Sequence, residues 1–268
     1  MSDPLWQRWE AFLGKIGDRQ HEILGEADAG LLEIIDRFPE DPMPMTNALE
    51  GVRHRLDELH SRVNDTWDDQ VQMQFEAVNE DLELRALDRK DDFLLELEEQ
   101  AELFAARMRY TFYRKLQPRA EASARRAVPC AQCGAPLQLP TRTRTVSHTC
   151  ESCGAVNQVM ADGAVAQSRG IGRATAELEC IPLRYQIHRF RNQVHRERRA
   201  SRWAAEPVSS MEHWLEMERC YWEKLVKITG DVLGEPPDTA LATSRIQHFI
   251  QHHLETDQRW RLAKGLSR

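Results

Sequence analysis

From Val52 to Gln117 the chain runs for 66 residues without a glycine or a proline. The two residues that most readily interrupt a helix are therefore missing from a quarter of the molecule. Apolar residues recur at Val52, Leu56, Leu59, Val63, Trp67, Val71, Phe75, Val78 and Leu82. After a weaker patch they resume at Phe93, Leu97, Ala101, Phe104, Met108 and Phe112. Steps of three and four place such residues on one helical face, which predicts a long amphipathic helix or a coiled coil. Unbroken, it spans roughly 100 Å at 1.5 Å per residue. Asn64-Asp65 and Asp91-Asp92 are the points at which it can break. Large aromatics at Trp67 and Phe75 favour a helical bundle or antiparallel coiled coil over a two-stranded zipper.

The flanks are also helical in pattern. Ser2 or Asp3 can cap a first helix with Pro4 in its first turn, and Leu5, Trp9, Phe12, Leu13 and Ile16 form its apolar face. Leu31, Ile34, Ile35 and Phe38 follow the small-residue stretch Gly25 to Gly30, as a second helix or the first one continued. Pro39, Pro42 and Pro44 then predict a linker. Later, Leu183, Ile187, Phe190 and Val194 share a face, Met211 to Leu233 is rich in Trp and Tyr, and Ile246 to about Leu262 is the last helical run. No internal repeat is apparent.

Charge divides the chain more sharply than hydropathy does. The formal total is −7, but residues 1–49 carry −6, 50–100 carry −10, 101–150 carry +7, 151–203 carry +4 and 204–268 carry −2. The acidic average argues against a simple polyanion binder, while the basic middle keeps that partner open. No apolar run approaches the 18–20 or so residues of a membrane span, and the acidic start lacks the basic and apolar regions of a signal peptide. Both features predict a cytoplasmic protein without a membrane partner.

The strongest chemical signal lies in the basic middle. Cys130-Ala-Gln-Cys133-Gly134 and Cys150-Glu-Ser-Cys153-Gly154 make the pattern C-x2-C-x16-C-x2-C. Two residues between the cysteines let both sulfurs of a pair point inward from one turn, and two pairs can close a tetrahedron around a metal ion. The glycine after each pair suits a positive backbone dihedral. Residues 136–140, 145–149 and 156–160 have strand-like composition. So small a ribbon cannot bury enough surface to fold alone, and metal binding would supply its folding energy. The segment resembles a zinc ribbon, the rubredoxin-like family of four-cysteine modules, over residues 129–160 only. The resemblance implies Cys130, Cys133, Cys150 and Cys153 as ligands of a structural Zn²⁺. Iron is the competing metal. It is disfavoured because no Phe, Trp or Tyr occurs between Gln117 and Arg184, whereas rubredoxins surround their iron with aromatics. Two disulfides would require an oxidising compartment. A redox pair would open a helix in a βαβ unit.

Other residues invite weaker readings. His148, two residues before Cys150, reads as a surface histidine rather than a replacement for one of the ligands or a support behind them. Cys180 and Cys220 read as ordinary, partly buried thiols. His248 and His252 share a helical face near His253, without the H-E-x-x-H pattern of a metal helix. Trp214, Tyr221 and Trp222 read as core. Arg184, Arg189, Arg191, Arg196, Arg198, Arg199 and Arg202 form a basic stretch, to which Arg119, Arg125, Arg126, Arg142 and Arg144 add around the cysteines. They contact a polyanion, or they pair with the acidic helix of residues 50–100. The second reading is favoured because that partner is present in the same chain.

The expected architecture is mainly α: long amphipathic helices or a coiled coil forming a bundle, with a small β zinc-ribbon insertion. Its segments are an N-terminal helical segment and Pro-rich linker (1–45), a long acidic-to-basic helix (46–128), the ribbon (129–162), a linker (163–174), a basic helix (175–204) and a C-terminal helical hairpin (205–268). No P-loop, dinucleotide fingerprint or nucleophile elbow is present. The expected function is non-enzymatic, as an adaptor or scaffold that binds a protein partner or itself through its helices. A nucleic-acid-associated regulatory role for the basic middle is the alternative.

Overall fold

The computed structural model describes residues 4–139, 145–200 and 208–263. They form a mainly α bundle with two small antiparallel β-hairpins. The first helix, α1, runs unbroken from Pro4 to Arg37. The glycines at 25 and 30 lie inside it, because Leu24, Ala27, Leu31 and Ile35 pack into the interior there and outweigh glycine's ~1 kcal/mol helical penalty. The expected Pro-rich linker shrinks to a turn at 38–41. Asp41 caps the next helix by accepting from the Met43 N–H at 2.9 Å. Pro42 and Pro44 sit in its first turn, where a missing N–H leaves nothing unpaired.

The long run without Gly or Pro is not one rod. It forms α2 (Pro42–Thr66), a π-helical turn (Trp67–Val71), the short α3 (Gln72–Glu76) and, after a reversal at 77–79, the 45-residue α4 (Glu80–Ala124). Neither of the two expected breaks is where the chain turns. The π-turn turns Trp67 into a cluster with Trp9 and Phe75 while Asp68, Asp69 and Gln70 stay exposed. Asn79 then caps α4 by accepting from the Asp81 N–H at 2.7 Å. The α2–α3 arm runs antiparallel to α4, with His60 of α2 beside Glu98 and Gln72 of α3 bonded to Glu83.

At the centre lies α4, with a different partner on each side. Against α1 it runs parallel. Glu10–Arg89, Asp28–Arg107, Asp36–Lys115 and Glu40–Arg119 are ion pairs at one constant offset of 79 residues. The interior between α1, α2 and α4 holds Leu13, Val63, Phe75 and Leu97 toward one end, and Ile35, Met45, Phe112 and Leu116 toward the other. Pro118 lies within α4 on an exposed face. Its ring cannot donate to the carbonyl four residues back, at exposed Arg114, and buried Leu116 and Ala120 carry the helix past it.

After α4 come β1 (Val128–Pro129), β2 (Pro136–Leu137), β3 (Val146–Thr149) and β4 (Val156–Val159), then α5 (Gly163–Ser168) and α6 (Gly170–Ala200). The expected linker at 163–174 is therefore helical. Its glycines serve close approach rather than flexibility. A Cβ on Gly170 would lie 2.2 Å from the Tyr113 ring of α4, and one on Gly172 would lie 2.8 Å from Leu233. Helix α6 returns antiparallel along α4. With α7 (Val208–Leu233) and α8 (Thr239–Ala263) it encloses a further core of Cys180, Ile187, Trp214, Tyr221 and Phe249. The ribbon thus joins the two arms of a helical hairpin. Among the described residues, no helix is long and apolar enough to cross a membrane.

Candidate metal centre

Each cysteine pair sits on a tight turn set by the same backbone bonds. Cys130 N–H donates to the Ala135 carbonyl at 2.8 Å and Gly134 N–H to the Cys130 carbonyl at 2.9 Å. Cys150 N–H to Ala155 and Gly154 N–H to Cys150 repeat this at 2.8 Å each. The reversal requires φ of 76° at Gly134 and 74° at Gly154, which L side chains rarely adopt. Hairpin β1–β2 pairs Val128 with Leu137, and β3–β4 pairs Val146 with Val159 and Thr149 with Val156. The two turns then face each other. Their repetition is visible in sequence as C-x-x-C-G-A-x-x-Q at 130–138 and again at 150–158, so the chain does hold an internal repeat. It is only nine residues long, too short to register as a fold-level period.

The four sulfurs lie within 4.8 Å of one another. Cys130 Sγ is 3.7 Å from Cys153 Sγ, and Cys133 Sγ is 3.7 Å from Cys150 Sγ. Four thiolates at ~2.3 Å from a tetrahedral zinc would be about 3.8 Å apart, so the set has the size a metal of that kind needs. Cys130 and Cys150 are buried, while Cys133 and Cys153 are exposed. All six cysteines are free thiols.

The surroundings favour thiolate. The backbone N–H groups of Cys133 and Gln132, with the Asn157 amide, hold Cys130 down to about 6. Those of Cys153 and Ser152 lower Cys150. At Cys153 the Ala155 N–H acts in the same direction, but it is outweighed by the Cys133, Cys130 and Cys150 sulfurs and by burial, which push that thiol up to about 12. Four sulfurs this close cannot all ionise unaided, and a bound cation removes that conflict.

His148 is not a plain surface residue. It is half-buried on β3 opposite Asn157, and its Nε2 is buried without a hydrogen-bond partner. It stands outside the cysteine cluster, which is the sole group of three or more such ligands among the described residues. His248, His252 and His253 form no such group. His253 packs on Trp214 and Phe249 at 4.5 Å each. Trp214 and Tyr221 are buried. Cys180 is wholly buried and Cys220 exposed, so neither is partly buried as expected. Sequence reasoning missed Asn157. Its signal was the mismatch with Leu137 at the equivalent position of the repeat.

The arginines of α6 meet the carboxylates of α4. Arg184 pairs with Glu102, Arg189 with Glu99, Arg196 with Asp88 at 3.3 Å and with Asp92, and Arg199 with Asp88. Arg191 is exposed and has no ion pair among the described residues. Arg142, Arg144 and Arg202 lie outside the described residues, as does the side chain of Arg198.

The same face holds His188 neutral. Burial, then the neighbouring Arg191 and Arg184, lower it to about 4 from an ordinary 6.5. The unfolded chain binds this proton more readily, so His188 contributes stability above pH 6.5 and loses it as pH falls toward 4. The urea midpoint is expected to drop across that window, and to drop less in His188→Gln. Equal slopes for the two proteins would contradict this.

Compared with protein-family models, curated proteins and solved structures, the chain finds no match in any of the three.

Proposed function

We propose that this is a non-enzymatic zinc-ribbon protein, an adaptor or assembly component whose ribbon or helical shaft receives a partner protein. The observation that carries this reading is the closed thiol set. Four converging sulfurs fill a tetrahedral shell and leave no position for water or substrate. Cys130, Cys133, Cys150 and Cys153 would hold the ion, which supplies the charge that gathers four thiolates and, with it, the ribbon's folding energy. Zinc is favoured over iron by the lack of aromatic side chains along the ribbon.

Two further features support a protein partner. Val156 and Met160 are 73% and 69% exposed on and just after β4, a large apolar offering for so small a module. Four of the seven arginines of the basic stretch are already engaged by carboxylates of α4. The alternative, nucleic-acid association, rests on what remains, chiefly exposed Arg126 and Arg191, with Arg125 exposed but paired with Glu121 at 3.4 Å.

The test compares the zinc-loaded chain with Val156→Glu/Met160→Glu in affinity capture, and titrates both with duplex DNA and RNA across a salt series. A protein retained by the parent and lost by the variant, at unchanged helix content, is the expected result. Polynucleotide binding that weakens steeply with salt and is lost in Arg125→Glu/Arg126→Glu would replace this reading with the alternative.

A further inference from the structure

The two cysteine turns are near copies, and they differ at one buried position. Leu137 (7% exposed) follows the first and Asn157 (8% exposed) the second. Leu137 can only fill space. Asn157 makes three hydrogen bonds, two of which cross to the first turn. Its Oδ1 accepts from the Ala131 N–H at 2.8 Å. Its Nδ2 donates to the Ala155 carbonyl at 3.0 Å and to Cys130 Sγ at 3.5 Å. The amide has a single workable orientation. Ala131 N–H is a donor, so the oxygen must face it, which turns the NH₂ toward the sulfur and the carbonyl. Among the described residues, no side-chain nitrogen is bonded to Cys150 in the matching way, because the repeat mate of Asn157 is Leu137.

We propose that Asn157 is a positioning residue of the metal centre. It clamps the first cysteine turn to the second and directs an N–H at Cys130 Sγ, so that Cys130 is the ligand held most firmly. The inference rests on the metal-site reading of the four cysteines. Groups that orient and hydrogen-bond a metal's ligands govern affinity nearly as much as the ligands do. Here the effect is one-sided. The otherwise symmetric pair of buried cysteines becomes unequal: Cys130 is anchored by a side-chain amide as well as backbone N–H groups, and Cys150, among the described residues, by backbone N–H groups and its fellow thiols.

The test uses Co²⁺ as a spectroscopic probe on the full chain, with Asn157→Leu and Asn157→Asp. The leucine variant copies position 137 and keeps the strand's burial. The aspartate variant keeps an acceptor for Ala131 N–H but has no N–H for Cys130. Both are expected to bind one Co²⁺ about 10–100-fold more weakly, with a shifted sulfur-to-cobalt charge-transfer band. In the zinc-loaded parent, Cys130 is expected to resist iodoacetamide longer than Cys150, and the difference to vanish in both variants. Unchanged affinity, band and alkylation order in both variants would overturn the proposal. An effect in Asn157→Leu with none in Asn157→Asp would overturn the Cys130 contact and leave only the clamp to Ala131. A parent chain that binds no Co²⁺ would overturn the metal site itself, an outcome seen before any variant is compared.

Discussion

Removing the metal, by chelation or by Cys130→Ser/Cys150→Ser, is expected to unfold residues 128–159 and leave the helices standing. The ribbon's own core is Cys130, Leu137, Cys150 and Val159, with Val128, Ala135, Leu139, Val146 and Ala155 partly buried around them. Two of the four most buried members are themselves thiols. Two-stranded hairpins with so little apolar surface are marginal in water. Binding of a structural zinc contributes about 10–16 kcal/mol in comparable small modules, which exceeds anything such a core can offer. The helical cores share no residue with it. Hydrogen exchange is the measurement. Amides of 128–159 should lose protection by many orders of magnitude, while those of α1 and α4 keep theirs. The loss should reverse when zinc is returned. Collapse of the whole molecule on chelation would show instead that the ribbon closes the α4–α6 hairpin and is not merely carried by it. Because the ligands must be deprotonated, zinc uptake at pH 7 should also release protons.

Arg196→Glu is expected to destabilise the helical hairpin by about 3 kcal/mol, near the lower end of what breaking a buried ion pair costs. The Arg196 side chain is 28% exposed and lies between Asp88 and Asp92. Reversing its charge takes the ion pair from Asp92, leaves Asp88 with Arg199 alone, and adds a third carboxylate. Asp91, already raised above the ordinary carboxylate range by burial, stands beside them. Residual exposure admits some screening, which is why the higher figures are not expected. Arg191→Glu, on an exposed position of the same helix, should stay within about 0.5 kcal/mol. Urea denaturation of the two variants tests the contrast. Equal midpoints would mean that the basic stretch is not neutralised within the chain, and would return it to the list of polyanion surfaces.

The helical class was legible because its signal is local. A period of three to four residues, sustained from Val52 to Phe112, holds whatever the helices later pack against. The caps at Asp41 and Asn79 are equally local, yet the reversal beside Asn79 passed unnoticed. The turn at 77–79 uses no glycine or proline, and Val78 keeps the apolar rhythm going into it while standing 58% exposed. The stretch 163–174 misled in the opposite way. Small residues make a flexible linker or a tight crossing with the same composition. Only Tyr113 and Leu233, some 57 and 61 positions away from Gly170 and Gly172, decide between them. The thiol set was readable down to each sulfur, and its nearest support at Asn157 was not. The Leu137/Asn157 mismatch marks the position in sequence, but only the facing of the two turns shows that Asn157 reaches across.

The sequence by itself determined the elements and the cysteine set: amphipathic helices, a four-cysteine module between them, and an acidic run separated from a basic one. These depend on neighbours within a few residues, where covalent spacing does the arranging. The tertiary structure decided that the Gly-free run folds back on itself, that α4 lies parallel to α1 at an offset of 79 residues, and that the arginines of α6 are answered by α4. Each of those rests on which surfaces bury each other and which charges come within reach. A charge total of −7 carries no record of either, because burial and pairing are properties of positions far apart in the chain.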